Sequence, residues 1–253
     1  MELADKVVLV TGGGSGLGRA IGLAFAGRGA DVGVNYPGFL EGAREAAEET
    51  ARAIHALGRR AITLEADVAV DAEVRAMVAH LERALGRVDV LVNCAGTTVF
   101  VPLGDLEGMQ EADWDRIMAV NAKGPFLCAR AVVPLMRRQG AGRIVNVTST
   151  SGLRPGGSCL AYAASKAANQ MVMRSLARTL GPTITVNAVA PGLMDTAWGR
   201  RLGEAARERA VAEAALQRLP ALADIAAAVV FLAENDSISG QTMIVDGGRH
   251  MPL

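Results

Sequence analysis

No charge predominates in this sequence: 26 Lys and Arg balance 26 Asp and Glu, leaving a formal net charge of zero. A nucleic-acid or anionic-membrane partner calls for a basic face, so the balance argues against both. No stretch reaches about 18 uninterrupted apolar residues, the length a membrane-spanning helix asks for, and no span is expected. The opening MELADKVVLVTGG carries acids where a signal peptide needs a basic start, and it runs straight into a strand pattern. A cytoplasmic location is the expectation. Cysteine is sparse as well: Cys94, Cys128 and Cys159 are odd in number, scattered, and without metal-ligand spacing. No metal is expected, and the thiols read as small reduced hydrophobes. Linkers, repeats and low-complexity tracts are missing too, so residues 1–253 read as a single domain.

What is present is apolar: 51% of the chain, enough for a full α/β core. Short β-branched runs alternate with longer alanine-rich segments of helical period. Residues 6–11, 31–36, 60–66, 88–94, 143–148, 183–190 and 243–245 read as strands. The runs VVLV, VDVLV, RIVNV and TITVNAVA are apolar on both faces, as in a parallel sheet covered by helices on each side. Helical periodicity marks 17–28, 41–57, 71–85, 111–138, 160–180 and 224–234. The alternation predicts right-handed βαβ crossovers and an α/β fold, with a doubly wound, seven-stranded parallel sheet flanked by helices. The segment 193–222 breaks the rhythm, with a Pro-Gly turn before it, Trp198 inside it and no strand. Following a strand's carboxyl end, it is expected to cover a cleft there; a plain surface helix is the alternative.

The first strand leads into Thr11-Gly-Gly-Gly-Ser-Gly-Leu-Gly18 and then a helix. Gly12, Gly16 and Gly18 permit positive φ and close approach of the backbone to an anion, and the helix N-terminus adds partial positive charge. Ser15 and Leu17 complete the turn. Three glycines alone are a weak signal; between the first strand and first helix of an α/β sheet they point to a dinucleotide's pyrophosphate. The second strand ends at Tyr36, where many dinucleotide enzymes place an acid for the ribose 2′-hydroxyl. An acid would repel a 2′-phosphate, so its absence permits NADP and gives it a slight preference over NAD. The usual counter-charge is missing too, because Ser15 stands where an arginine would help; Arg44 is the substitute the sequence offers.

Tyr162-Ala-Ala-Ser-Lys166 falls in a helical segment, so phenol and ammonium lie one turn apart on one face. A phenol of pKa about 10 exchanges protons poorly at neutral pH, and a neighbouring ammonium is expected to lower that pKa. In isolation such a pair is common, and a solvated helix face is the better reading of it. Yet the chain has only two tyrosines, and this one follows the cluster Thr148-Ser149-Thr150-Ser151-Gly152. Ser149 stands 13 residues before Tyr162, at the carboxyl end of the fifth strand, where ligands sit in open α/β sheets.

With these motifs in order, the chain resembles the short-chain dehydrogenase/reductase family in its short, single-domain branch. The resemblance spans nearly the whole chain. It rests on the glycine turn, Asp67-Val68, Asn93-Cys94-Ala95-Gly96, Asn121, Ser149, Tyr162 with Lys166, Pro191-Gly192 with Thr196, and the closing Gly240-Gln-Thr and Asp246-Gly-Gly. It implies a Rossmann-type domain and hydride transfer between NADP or NAD and a CH–OH carbon. It further implies Tyr162 as general acid or base, Ser149 as polariser of the substrate oxygen, and Lys166 as binder of the nicotinamide ribose and tuner of the phenol. Asn121 would hold a water linking Lys166 to solvent. Asp67 and Val68 would border the adenine, and Asn93, Ala95 and Gly96 the cofactor cleft. Pro191, Gly192 and Thr196 would form the nicotinamide end, with Thr196 at the carboxamide. Plainer readings stay open: Asn121 as a helix cap or kink, Asp67 as a turn residue, Thr196 as an N-cap. A homotetramer, packed through the helices at 111–138 and 160–180, is also implied.

Substrate contacts are expected from 97–101, 152–160 and 193–202. These are mainly apolar, with small residues near Tyr162, which suits a small, partly hydrophobic ketone or secondary alcohol. A highly charged substrate would need more fixed charge, for which Arg154 and Arg200 are the obvious candidates. Two other readings remain. One is a 3-oxoacyl carrier-protein reductase, for which Arg137 and Arg138 are the nearest docking charges. The other is a non-catalytic, cofactor-binding redox sensor, which would have no need to keep Ser149, Tyr162 and Lys166 together.

Overall fold

Strands that are apolar on both faces are satisfied only between two helical layers. In the computed structural model, which describes residues 1–251, seven strands form one parallel sheet. They are β1 (Val7–Val10), β2 (Asp31–Tyr36), β3 (Ala61–Glu65), β4 (Val90–Asn93), β5 (Gly142–Val147), β6 (Ile184–Pro191) and β7 (Thr242–Val245). Their order is β3-β2-β1-β4-β5-β6-β7. β1 pairs with β2 on one side, Val7 opposite Asp31, and with β4 on the other, Val8 opposite Val90. The winding direction reverses there, and a crevice at the carboxyl ends of such strands is where ligands bind.

The helices are α1 (Gly16–Ala26), α2 (Ala43–Ala56), α3 (Asp71–Leu85), α4 (Glu111–Met118), α5 (Gly124–Arg138), α6 (Leu160–Leu180), α7 (Ala197–Arg200), α8 (Glu204–Glu213) and α9 (Leu222–Glu234). Alternation along β1 divides the core into two layers. Val8 and Val10 join Ile21 and Phe25 of α1, Ile54 of α2 and Val229 of α9. Val7 and Leu9 join Leu81 of α3, Val132 of α5 and Met173 of α6 on the other face.

The long helix expected over 111–138 is not continuous. A five-residue π turn, Ala119–Lys123, separates α4 from α5 and contains the buried Asn121. Pro125 supplies the reason, since it has no N–H to offer the Asn121 carbonyl four residues back. The segment 193–222 holds α7 and α8 and no strand. No helix among the described residues is long and apolar enough to cross a membrane.

Candidate active site

Between β1 and α1 the chain turns through Gly12 at φ +65° and Gly16 at φ +49°, where a side chain would be strained. Gly18 is required by proximity: a Cβ there would stand 2.1 Å from the Gly12 carbonyl oxygen. Ser15 caps α1 without a side-chain hydrogen bond, and no acid lies in the first turn. The first N–H groups of α1 therefore keep no side-chain partner, which suits a pyrophosphate. Asn35 holds this turn from below, its Oδ1 accepting from Gly12 N at 3.2 Å and its Nδ2 donating to the Leu64 and Ala66 carbonyls at 3.1 Å. Thr11 Oγ1 accepts from the N–H groups of Cys94 and Ala95 at 3.0 Å, tying in the loop after β4. The turn fits a dinucleotide. Asn35 is a functional residue that sequence reasoning passes over, because a polar residue inside a strand carries no sign of what it holds.

At the end of β2, Tyr36 is buried and its hydroxyl donates to Glu65 Oε2 at 3.2 Å. Burial, and then the Glu65 carboxylate, hold this phenol's pKa above its ordinary value. A carboxylate of β3 thus stands beside the end of β2, which carries no acid of its own. Arg44 is paired with Glu48 at 3.0 Å. Asp67 accepts from Ala69 N at 2.9 Å and forms a 2.7 Å ion pair with Arg116, so it organises the turn after β3. Val68 is buried beside Gly124.

β5 delivers Ser149, whose Oγ accepts from Ser151 N at 3.1 Å and caps the short 3-10 turn Thr150–Gly152. Gly152 lets that turn lie on α6, since a Cβ there would come 2.6 Å from the Lys166 carbonyl carbon. Cys159 caps α6, its Sγ accepting from Tyr162 N at 3.4 Å. Lys166 Nζ lies 5.7 Å from the centroid of the Tyr162 ring and donates to the Val147 carbonyl at 3.0 Å. Asn121 is clamped between elements. Its Oδ1 accepts from Thr97 N at 2.8 Å, and its Nδ2 donates to Thr97 O at 2.9 Å and Ser165 Oγ at 3.0 Å.

Gly96 is where these elements meet. A Cβ there would stand 3.4 Å from Asn121 Oδ1 and 3.7 Å from both Lys166 Nζ and the Trp198 ring. Trp198 packs edge-on against Tyr162, with ring centroids 5.8 Å apart, and Arg201 lies 4.4 Å over the Phe100 ring. The segment carrying α7 therefore covers Tyr162, through a tryptophan whose partner only the fold reveals. Thr196 caps α7 through Gly199 N at 3.0 Å, and its methyl lies 4.0 Å from a Cβ built on Gly16. Pro191 ends β6, and Gly192 packs on Asp246, which a Cβ would approach to 2.7 Å. Asn93 donates to Asn146 Oδ1 at 2.8 Å. Arg200 is paired with Asp195 at 2.7 Å.

The electrostatics correct one expectation. Burial pushes the Tyr162 phenol up to about 12, with the Ser149 hydroxyl drawing the other way, and burial pushes Lys166 down to about 8. The phenol's shift is opposite to the one the Tyr-Lys spacing suggests. Spacing puts the ammonium near the ring, but its hydrogen bond goes to Val147 and loss of water dominates.

A glycine turn at a helix N-terminus, set at the switch point of a parallel sheet with a half-buried phenol and a buried ammonium beyond it, defines a dinucleotide-dependent oxidoreductase. A family model described as enoyl-(acyl carrier protein) reductase matches residues 12–250. A 3-oxoacyl-acyl-carrier-protein reductase of Staphylococcus epidermidis is 38% identical over 250 residues, spanning 98% of this chain and 100% of that one. Among solved structures, acetoin dehydrogenase from Enterobacter cloacae is 35% identical with a TM-score of 0.83, covering 96% of each chain. Gluconate 5-dehydrogenase from Burkholderia cenocepacia, in complex with NADP and tartrate, is 31% identical with a TM-score of 0.88, covering 97% of this chain and 95% of that one. The chain belongs to the short-chain dehydrogenase/reductase family and is an NAD(P)-dependent oxidoreductase acting on CH–OH groups.

Proposed function

We propose that the chain interconverts a small, partly hydrophobic ketone and its secondary alcohol, with Tyr162 as general acid and base. The observation that carries this reading is the convergence of Asn121, Lys166 and the Tyr162-bound Trp198 on Gly96. When bound, the dinucleotide supplies or accepts the hydride. Gly12, Gly16 and Gly18 would hold its pyrophosphate, Asp67 and Val68 its adenine end, and Gly96, Gly192 and Thr196 its nicotinamide end.

Tyr162, held at about 12, keeps its proton at neutral pH and donates it to the carbonyl oxygen in the reductive direction. Ser149 accepts from Ser151 N and retains its own O–H to donate to the same oxygen, worth about 3 kcal/mol. Lys166, held at about 8, is charged at pH 7 and has two further N–H groups for ribose hydroxyls beyond the one on Val147. The segment 193–222, through Trp198, covers the reacting centre and excludes water. For the dinucleotide we read NAD rather than the NADP that the end of β2 alone slightly prefers. Glu65 brings a carboxylate to Tyr36, and Arg44 is paired with Glu48.

The small-molecule reading stands ahead of the carrier-protein one because Arg138, one of the two candidate docking charges, is paired with Glu82 at 2.9 Å. Exposed Trp114, Phe126, Leu160 and Met171 on α4, α5 and α6 favour a homotetramer. Three free cysteines accord with a reducing cytoplasm.

A panel of ketones, including acetoin and ethyl acetoacetate, assayed with NADH and NADPH tests the reading. Tyr162→Phe should lose at least about 100-fold in kcat while its thermal shift with the dinucleotide is kept. A variant that retains most of its rate overturns the mechanism.

A further inference from the structure

Four buried asparagines run in line from the sheet to the π turn. Asn93 Nδ2 on β4 donates to Asn146 Oδ1 on β5 at 2.8 Å, Asn146 Nδ2 donates to Asn169 Oδ1 on α6 at 2.7 Å, and Asn169 Nδ2 donates to the carbonyl oxygen of Asn121 at 3.0 Å. None of the four is more than 3% exposed. A buried amide is costly unless bonded, and here each amide nitrogen meets the oxygen of the next residue, which fixes the orientation of the whole line. The last link meets a need written into the sequence, because Pro125 removes the helical donor for the Asn121 carbonyl. Asn169 supplies a donor from a different helix.

The consequences reach the reacting groups in one further step. Asn121 holds both backbone groups of Thr97, next to Gly96, and it donates to Ser165 Oγ. Ser165 Oγ in turn donates to the Tyr162 carbonyl at 2.7 Å. We propose that Asn169 is a positioning residue for the reaction, seating the π turn so that Asn121 and the Gly96–Thr97 backbone stand correctly against Tyr162 and Lys166. The proposal rests on the reading of Tyr162 as acid and base.

Asn169→Asp separates positioning from simple core filling. Its carboxylate still accepts from Asn146 but has no hydrogen for the Asn121 carbonyl. Once protonated, it regains a donor and matches asparagine, and burial raises the pH at which this happens. With NADH or NADPH and ethyl acetoacetate, kcat of the variant should fall at least about tenfold at pH 8 and recover toward the native value by pH 5.5. The dinucleotide KM should stay within about twofold. Asn169→Leu has no donor at any pH, so its loss should show no recovery. Independently of turnover, amide hydrogen exchange at Thr97 and across Ala119–Lys123 should quicken in both variants at pH 8, and slow again at low pH, relative to the native chain, only for the aspartate.

Native kcat with native exchange in Asn169→Asp at pH 8 overturns the proposal, and so does a loss that ignores pH. If Asn169→Leu does not fold, the two-pH comparison of the aspartate variant decides alone. Tyr162→Phe run alongside keeps the failures apart, since a full rate there sinks the acid/base assignment whereas the exchange data judge Asn169.

Discussion

Replacing Lys166 by methionine removes a buried ammonium while keeping an unbranched side chain of similar length. The Lys166 Nζ donates to Val147 O at 3.0 Å, and burial lowers its pKa from 10.5 to about 8. In the folded chain the proton leaves as pH rises through about 8, and in the unfolded chain only near 10.5. Between these values the unfolded chain binds more protons, so the free energy of unfolding rises with pH. Below them both states hold the proton, and the full cost of burying the charge is present. At about 1.4 kcal/mol per pH unit, passing from pH 7 to pH 10 adds about 2–3 kcal/mol of stability from this group. Tyr162, raised to about 12, acts in the opposite sense, lowering stability only above pH 10, where the unfolded phenol begins to ionise. Cys94 and Cys128, raised by burial to about 11 and about 12, are present in both chains and largely cancel in the comparison. Urea unfolding followed by circular dichroism at pH 7, 8, 9 and 10 is the assay. The stability of the native chain minus that of Lys166→Met should climb by about 2–3 kcal/mol over that range. A difference flat to within about 0.5 kcal/mol refutes the argument from burial, and a falling one shows the sign to be wrong.

Three other substitutions probe separate parts of the site. Gly18→Ala drives a Cβ to 2.1 Å from the Gly12 carbonyl oxygen, so calorimetry should find dinucleotide affinity reduced at least about tenfold; native affinity would mean the turn is not the phosphate cradle. Glu65→Gln removes the carboxylate on Tyr36 and should move the NADPH-to-NADH ratio of kcat/KM about tenfold toward NADPH. An unchanged ratio takes Glu65 out of cofactor choice. Trp198→Ala opens the space beside Tyr162 and should favour aryl ketones over acetoin, at a stability cost of about 1 kcal/mol because the indole is already 37% exposed. Unaltered selectivity in a competition assay would show that Trp198 does not bound the substrate.

The sequence by itself determined the sheet, since segments such as VVLV and RIVNV have no polar face and are stable only between helices. It determined the glycine turn through spacing, and the shared face of Tyr162 and Lys166 through helical periodicity. Local pattern is enough for features that are themselves local. Burial is not local, and this is why the Tyr162 pKa runs against its spacing. The break at Ala119–Lys123 was half legible, with Pro125 visible in the sequence but the donor to the Asn121 carbonyl, Asn169, 48 residues from it. Strand order decided that Glu65 stands beside Tyr36, because β2 and β3 are neighbours in register. Helix packing decided that Asn169 meets Asn121 and that Trp198 covers Tyr162. Each of these contacts joins residues far apart in the chain, so only the tertiary structure, which buries them together, sets their chemistry.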